Sequence, residues 1–284
     1  MGSCENKMCC SQPEVERRVL IMGNENLSLN TINNEIKIRN ISDNPGVWVT
    51  EQLENEQQAR VQFDNGCIYE GDWDPIKKRN GFGVYIWPDG SKYTGYWKSN
   101  MAHGFGRLEH KDGEVYEGNW FNDKAHGYGE YKSWDGTIYK GDWRNDLQHG
   151  QGIEEWSSGA KYEGDYINGK KNGQGKLAFV DGSSYEGEFK ENFIWGIGKY
   201  IWANGKIYEG EWVTNQMEGI GKMTWPSRKF YHGQFLQDKK HGKGVMTFPN
   251  GRIVEGDWKN GHFQKVQISQ QESNPEINIP RPII

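Results

Sequence analysis

Gly2 directly behind the start Met, followed by the small Ser3, meets the requirement for N-myristoylation once Met1 is removed. Asn6 stands where Ser or Thr is usual, a departure that the looser form of the pattern tolerates. One myristoyl chain gives only marginal, reversible membrane binding, so stable anchoring takes a second signal. A polybasic patch is not that signal, because Lys7, Arg17 and Arg18 are balanced by Glu5, Glu14 and Glu16. Cys4, Cys9 and Cys10 can supply it by S-acylation; three of the four cysteines fall in the first ten residues, which packing does not account for. An unmodified tail and a metal or redox cluster are the alternatives, and no second Cys/His group lies nearby to complete a tetrahedral zinc site. Cys67 stands alone and reads as a structural thiol.

Other residues invite chemistry and do not support it. His103, His126, His149 and His241 each precede the first glycine of a Gly-x-Gly. Equivalent positions of stacked hairpins lie roughly 10 Å apart, twice the strand spacing. Ligands sharing a zinc sit at about 2.0–2.1 Å from it, so these histidines cannot converge and no metal is expected. The Gly-x-Gly elements are followed by no helix that would present its N-terminus to a phosphate, and no Gly-Lys-Ser/Thr occurs. A Gly-x-Ser-x-Gly elbow is absent as well. Paired acids such as Glu186 and Glu188 recur with the period of the chain and read as a solvated face. The sequence therefore predicts no enzyme and no cofactor.

The elements that carry these residues form a repeat. A Tyr-x-Gly-x-Trp unit appears at Tyr69, Tyr93, Tyr116, Tyr139, Tyr162, Tyr185, Tyr208 and Tyr231, with Tyr or Phe at the third place in some copies and a ninth unit from Val254. After a first interval one residue longer, with Pro75 and Lys77-Lys78-Arg79 placed in its loop, the step is always 23 residues. Between units comes Gly-x-Gly, as Gly81/Gly83, Gly104/Gly106 and onward to Gly242/Gly244. A turn dipeptide follows, Asp89-Gly90, Asp112-Gly113, Asn204-Gly205 and others, with Ser227-Arg228 as the exception. Asp-Gly and Asn-Gly between alternating segments predict type I′ hairpins. Each repeat thus reads as two short antiparallel strands, joined alternately by a tight turn and by a loop of about six residues. Side chains alternate along a strand, so Tyr, Gly and Trp share one face and pairs such as Glu70/Asp72 share the other. Glycine beside large rings suggests that each ring packs over bare backbone.

These residues resemble the membrane occupation and recognition nexus (MORN) repeat, over residues 63 to about 260. The resemblance implies an all-β fold: an elongated, single-layer antiparallel sheet of stacked 23-residue hairpins, with an aromatic groove. Eight repeats of two strands make a rod on the order of 75–80 Å long. Residues 1–62 read as the acylation signal with an irregular capping segment, residues 63–260 as the sheet, and residues 261–284 as a flexible tail. Within the first segment, residues 19–22 and 36–38 could each be a short strand and Thr50 to Ala59 a helix, either of which would cap the open sheet edge.

Composition agrees. A mean hydropathy of −0.93 with 34% apolar residues describes a thin sheet with little interior. No apolar run approaches the ~20 residues that span a bilayer, and no secretory segment follows Met1, so a cytoplasmic, peripheral-membrane location is expected, with cilium or cell cortex as further possibilities. The net charge is −5, with 26 basic and 28 acidic residues in 63–260, which excludes nucleic acid as a partner on the count alone.

The expectation is a non-catalytic protein-binding scaffold, held at the cytoplasmic face of a membrane by lipid on Gly2, Cys4, Cys9 and Cys10. Tyr116, Trp120, Tyr139, Trp143 and Tyr162 would line a groove for a helix or an extended peptide. A second copy could instead cover that surface, since MORN sheets dimerise. The alternative is a structural part of a ciliary or cytoskeletal assembly, similar to the MORN proteins of radial spoke heads.

Overall fold

The computed structural model describes residues 58–264. They form nineteen β-strands, numbered β1–β19 along the chain, with no helix among the described residues. Every strand pairs antiparallel with its sequence neighbours, so the sheet is one uninterrupted meander from Gln58 to Phe263. Eighteen strand spacings of about 4.8 Å make a row on the order of 85 Å long.

The sheet extends past both expected ends. Strand β1 (Gln58–Gln62) pairs with β2 (Ile68–Trp73), with Val61 opposite Tyr69, and covers the edge that the first repeat would expose. Gln58 and Ala59 are therefore strand and not the end of a helix; the rest of that stretch lies outside the described residues. At the other end β19 (His262–Phe263) pairs with β18 (Ile253–Lys259), so residues 262 and 263 belong to the sheet. Phe263 has a specific task there. The last unit has Val254 in place of Tyr, and the Phe263 ring lies within 2.9 Å of where a Gly256 Cβ would sit. It also meets Trp258 at 5.4 Å, so a ring from the following strand replaces the missing one.

The two connections are the reverse of the expected pair. At Trp87–Ser91 the Gly90 N–H donates to the Trp87 carbonyl (3.0 Å) and the Trp87 N–H to the Ser91 carbonyl (2.9 Å). Only Gly90 takes positive φ (93°); Asp89 does not, and its Oδ1 accepts the Ser91 N–H at 2.9 Å. This is a type I turn closed by a left-handed glycine, not a type I′ turn. The type I′ turns occupy the supposed six-residue loop: Ser99-Asn100 (φ 49° and 71°), Asn122-Asp123 (50° and 64°) and their equivalents join strands with two residues only. Asn and Asp tolerate that conformation without glycine.

Strands β4 (Lys92–Lys98) and β5 (Met101–Glu109) show how the hairpin bends. Gly95 faces Gly106 and Trp97 faces Ala102, so Tyr96 alone is opposite His103, Gly104 and Phe105. Gly104 sits at φ 80° to make this bulge. The N–H between the two glycines is then capped from the neighbouring strand: Gln174 N–H donates to Asp165 Oδ2 (2.7 Å), Ile220 N–H to Glu211 Oε1 (2.8 Å) and Lys243 N–H to Gln234 Oε1 (2.8 Å). The second acid of the pairs read as a wet face is therefore a bulge clamp. The first makes exposed cross-strand ion pairs, Glu186 with Lys176 and Glu209 with Lys199, both at 3.2 Å.

The core is a single file of rings. Tyr93 lies across Gly95 and Gly106, and its hydroxyl donates to the Tyr96 carbonyl at 3.1 Å. A Cβ on Gly106 would stand 2.2 Å from that hydroxyl, and one on Gly95 would stand 2.4 Å from the Gly106 Cα. Each Trp reaches back one repeat, with Trp120 Nε1–H donating to the Gly106 carbonyl at 3.0 Å and Trp143 to Gly129 at 3.1 Å. Edge-to-face contacts then run without a break, from Tyr93–Trp120 (5.3 Å, 90°) through Tyr116–Trp143 (5.4 Å) and Tyr139–Tyr166 (5.2 Å) to Tyr231–Trp258 (5.1 Å).

The type I′ turns also stitch repeats together. Asp123 Oδ1 accepts the Ala102 N–H (2.6 Å), Asp146 Oδ1 the Ala125 N–H (2.8 Å) and Asp238 Oδ1 the Met217 N–H (2.8 Å), each 21 residues upstream. Asn100, Asn192 and Asn215 make the same bond with an amide oxygen.

Gly152 lies under the Tyr139 ring, with the hydroxyl 2.4 Å from a Cβ position, whereas Gly159 faces open space at φ 92°. Gly152→Ala is expected to cost about 3 kcal/mol by overpacking and Gly159→Ala about 1 kcal/mol by backbone strain. Urea midpoints of the two variants measure this, and equal losses would disprove the ring-over-glycine account. A second expectation concerns pH. Burial raises the carboxyl pKa of Asp123, Asp146 and Asp238 against the opposing pull of their N–H bonds. A carboxyl with a raised folded-state pKa stabilises fully below its unfolded value of about 3.9, and that contribution is lost as the pH rises through the folded pKa. Replacing all three by Asn keeps the acceptor and removes the charge. The thermal midpoint should rise at neutral pH, with the gain vanishing near pH 4; a gain independent of pH would contradict the desolvation argument.

Candidate protein-docking faces

The five residues expected to line a groove are brought together but closed. Tyr116, Tyr139 and Tyr162 are 0% exposed and Trp120 and Trp143 are 3% exposed. They tile one another at 5.0–5.4 Å, with Tyr166 between Tyr139 and Tyr162. Burial pushes the Tyr231 hydroxyl up to about 12 and raises those of Tyr116, Tyr139 and Tyr162 in the same direction, as for phenols withdrawn from water. These side chains are the interior of the sheet, not an open aromatic slot. Large rings that lie flat over glycine leave no room between them for another chain.

The acylation candidates Gly2, Cys4, Cys9 and Cys10 lie outside the described residues. Cys67 is buried and free. His103 and His126 flank the Phe121 ring at 5.2 and 5.7 Å, their Nδ1 atoms enclosed without a hydrogen-bond partner, and His149 Nδ1 accepts the Asn168 N–H at 3.4 Å. Among the described residues no group of three or more His, Cys, Asp or Glu comes together as a metal site.

What remains open is elsewhere. On the outer face Phe121, Leu147, Ile167, Phe193, Val213 and Leu236 sit next to the type I′ turns and are exposed. Most face a cation across the turn: Phe121 opposite Lys124, Leu147 opposite Arg144, Ile167 opposite Lys170, Phe193 opposite Lys190, Leu236 opposite Lys239. A second line follows the bend, with Phe82 against Tyr96 (5.5 Å), then Phe105 and Tyr128. Sequence reasoning passed over both lines because it followed the fixed positions of the repeat. Their signal was a large apolar residue recurring on one side or the other of the type I′ turn, or between the two glycines in the first repeats.

On the ring face, the half-buried Trp87, Trp156, Phe179, Trp202, Trp225 and Phe248 form a rim at the Asp-Gly side. The middle of this face also holds a charge. Glu154 stands where other repeats have Leu108, Tyr131 or Leu177, and its carboxylate, 5% exposed, pairs with Lys171 at 2.8 Å and accepts from the Tyr166 hydroxyl at 3.2 Å. Lys171 Nζ also lies 4.8 Å from the Trp156 ring centre. Arg79, expected in a loop, belongs instead to β3 (Arg79–Ile86). Its guanidinium is 4.2 Å from the Trp97 ring centre and donates to the Asn100 carbonyl at 2.7 Å.

The stacked bent hairpins, with ring, glycine pair and indole in every copy, define a class of repeat protein. The family model of the MORN repeat matches eight successive stretches, 77–92, 93–115, 116–138, 139–161, 162–184, 185–207, 208–228 and 231–251. Together they make up more than half of the chain, which belongs to the MORN-repeat family. No curated relative matches. Among solved structures the chain is similar to the TCP10 domain of Danio rerio CPAP (12% identity, TM-score 0.36, covering 74% of this chain and 94% of that one). It is also similar to the TCP domain of SAS-4 from Drosophila melanogaster (12%, TM-score 0.29, 78% and 97%) and to virginiamycin B lyase from Staphylococcus aureus (15%, TM-score 0.15, 70% and 68%). Likenesses of this degree carry nothing on function.

The ion pair gives a test of how the ring face tolerates polarity. Lys171→Ile, the residue type of Ile194 one repeat on, strands the Glu154 carboxylate and is expected to cost about 3 kcal/mol. Adding Glu154→Leu and Tyr166→Trp, the types that other repeats carry there, should recover that loss to within about 1 kcal/mol. Denaturant midpoints compare them, and a harmless single variant would show that the pair is not buried in solution.

Proposed function

We propose that this MORN-repeat chain is a non-catalytic protein-binding scaffold, tethered to the cytoplasmic face of a membrane by an acylated N-terminus. The observation that carries the binding half is the outer strip, where Phe121, Leu147, Ile167, Phe193, Val213 and Leu236 expose one large apolar side chain in each of six successive repeats. The fold does not require a large exposed apolar side chain in every repeat, and exposed apolar side chains recurring with cations beside them mark an interaction site. The partner contacts this strip rather than the closed rings of Tyr116, Trp120, Tyr139, Trp143 and Tyr162. The tether rests on Gly2 with Cys4, Cys9 and Cys10. Among the described residues no helix is long and apolar enough to cross a membrane.

Two measurements separate the halves. With an alkyne-myristate label in cells, wild type should take the label and sediment with membranes, and Gly2→Ala should do neither; unlabelled wild type distributed like the variant would remove the tether. A photo-crosslinking residue at position 167 should capture a protein partner, and Phe121→Glu with Phe193→Glu in the same chain should abolish capture while the thermal midpoint is kept. Capture that survives the two substitutions would overturn the strip as the interface. Retention of Gly2→Ala on anionic vesicles, lost with the same substitutions, would reassign the strip to lipid.

A further inference from the structure

Several outer cations are matched to carboxylates, whereas the ring face of the last three repeats holds four that are not. Arg107 pairs with Glu117 (2.7 Å), Lys140 with Glu130 (3.0 Å), and Lys176 and Lys199 with Glu186 and Glu209. Lys206, Lys229, Lys240 and Arg252 make no ion pair among the described residues. Each lies over a ring instead: Lys206 Nζ 3.7 Å from the Trp202 centre, Lys229 4.8 Å from Trp225, Arg252 4.1 Å from Phe248, and Lys240 4.1 Å from Trp258 and 5.8 Å from Trp225. Lys206, Lys229 and Arg252 hold one and the same position of three successive repeats. Of the five preceding repeats, four carry the small, buried Ser91, Thr137, Ala160 and Ser183 there and one carries Glu114. The cations are therefore a local addition that the fold does not require.

From this ladder we infer a second docking site, on the ring face of the last three repeats, for an acidic, proline-rich segment of a partner protein lying along the sheet. Charge complementarity sets the sign, since four cations are held in place by rings and only Asp238, itself half-buried, acts on one of them, Lys206. The spacing sets the conformation. Equivalent positions recur at roughly 10 Å. A β-strand repeats its facing side chains every two residues, about 6.8 Å, which does not fit. A polyproline II helix repeats every three residues at about 9.3 Å, so an acid at every third residue meets one cation per repeat. Its prolines would pack on the half-buried Trp202, Trp225 and Phe248, a surface suited to such chains. The site lies on the opposite face from the outer strip, so it goes beyond the scaffold reading and stands or falls separately.

The test uses the full chain and a fluorescein-labelled peptide of Glu-Pro-Pro repeats, read by anisotropy at low and at physiological ionic strength. Controls are Lys-Pro-Pro repeats, a peptide of equal composition with its acids in one block, and an acidic helical peptide with Glu at every seventh residue. The Glu-Pro-Pro peptide should bind best and weaken with salt. Lys206→Ser, Lys229→Ser and Arg252→Ser together restore the type found in earlier repeats and should weaken binding by about tenfold or more. Unchanged strand content by circular dichroism shows that the variant folds. No binding to wild type, equal binding to the triple variant, or preference for the blocked or helical peptide would each overturn the inference. Loss of crosslinking at position 167 with Glu-Pro-Pro binding intact would instead sink only the outer strip.

Discussion

The contact on which the rest of the molecule depends is a tyrosine ring lying on two glycines. Tyr93 over Gly95 and Gly106 recurs as Tyr139 over Gly141 and Gly152 and as Tyr208 over Gly210 and Gly221, with Cβ clearances of 2.2–2.7 Å to the hydroxyl. A single-layer sheet has no second layer to bury its apolar face against, which is why isolated hairpins are marginal. Laying the ring flat makes the sheet its own partner. The hydroxyl finds its acceptor three residues on, at the Tyr96, Asp142 or Glu211 carbonyl, so the phenol can be fully buried without an unsatisfied group.

Much of the remaining architecture accommodates that ring. The strand must bend around it, and the three-against-one bulge at His103–Phe105 supplies the bend. The bulge frees an N–H, and a carboxylate or amide oxygen from the preceding strand takes it. The indole stands on edge against the phenol and bonds back to the preceding repeat, so each copy is completed by its neighbour, as expected of a structure whose stability is a sum of units and interfaces. The ends confirm the dependence. β1 supplies Ala59 as the acceptor for Trp73 Nε1–H at 3.3 Å, and Phe263 supplies the ring that Val254 lacks.

The fold was legible because period, ring and glycine are all written in the local sequence. What was misread follows from the same locality. Asp89-Gly90 looks like a type I′ turn, yet the hydrogen bonds at Trp87 and Ser91 show that it spans more residues than the dipeptide. Ser99-Asn100 and Thr214-Asn215 look like loop, because the positive φ there is held by the strand pairing on either side and not by glycine. Asp123 gave no sign of its bond to Ala102, which only stacking creates. The groove residues were read correctly as one face and incorrectly as open. Alternation tells which side of a strand Tyr116 and Trp143 occupy, but whether rings tile or gape depends on the bend, and the bend lives in a bulge that alternation cannot see.

Once the rings of the Tyr-x-Gly-x-Trp units are committed to the core, recognition has to come from positions that the repeat leaves free. Those positions are few and fall in columns: the two residues that flank the type I′ turn, the residue between the glycines, and the residue that follows the other turn. Substituting along a column leaves the herringbone intact, and it writes a pattern with a fixed pitch of roughly 10 Å along the rod. The chain differs from a uniform array in those columns: apolar beside the type I′ turns, aromatic at the bend in the first repeats, cationic beside the last three of the other turns, at Asn204-Gly205, Ser227-Arg228 and Asn250-Gly251. Glu154, Tyr166 and Lys171 are the exception that shows the limit. There a charge enters the ring face itself, and a lysine, a tyrosine hydroxyl and the Trp156 ring have to converge on it to keep the sheet closed.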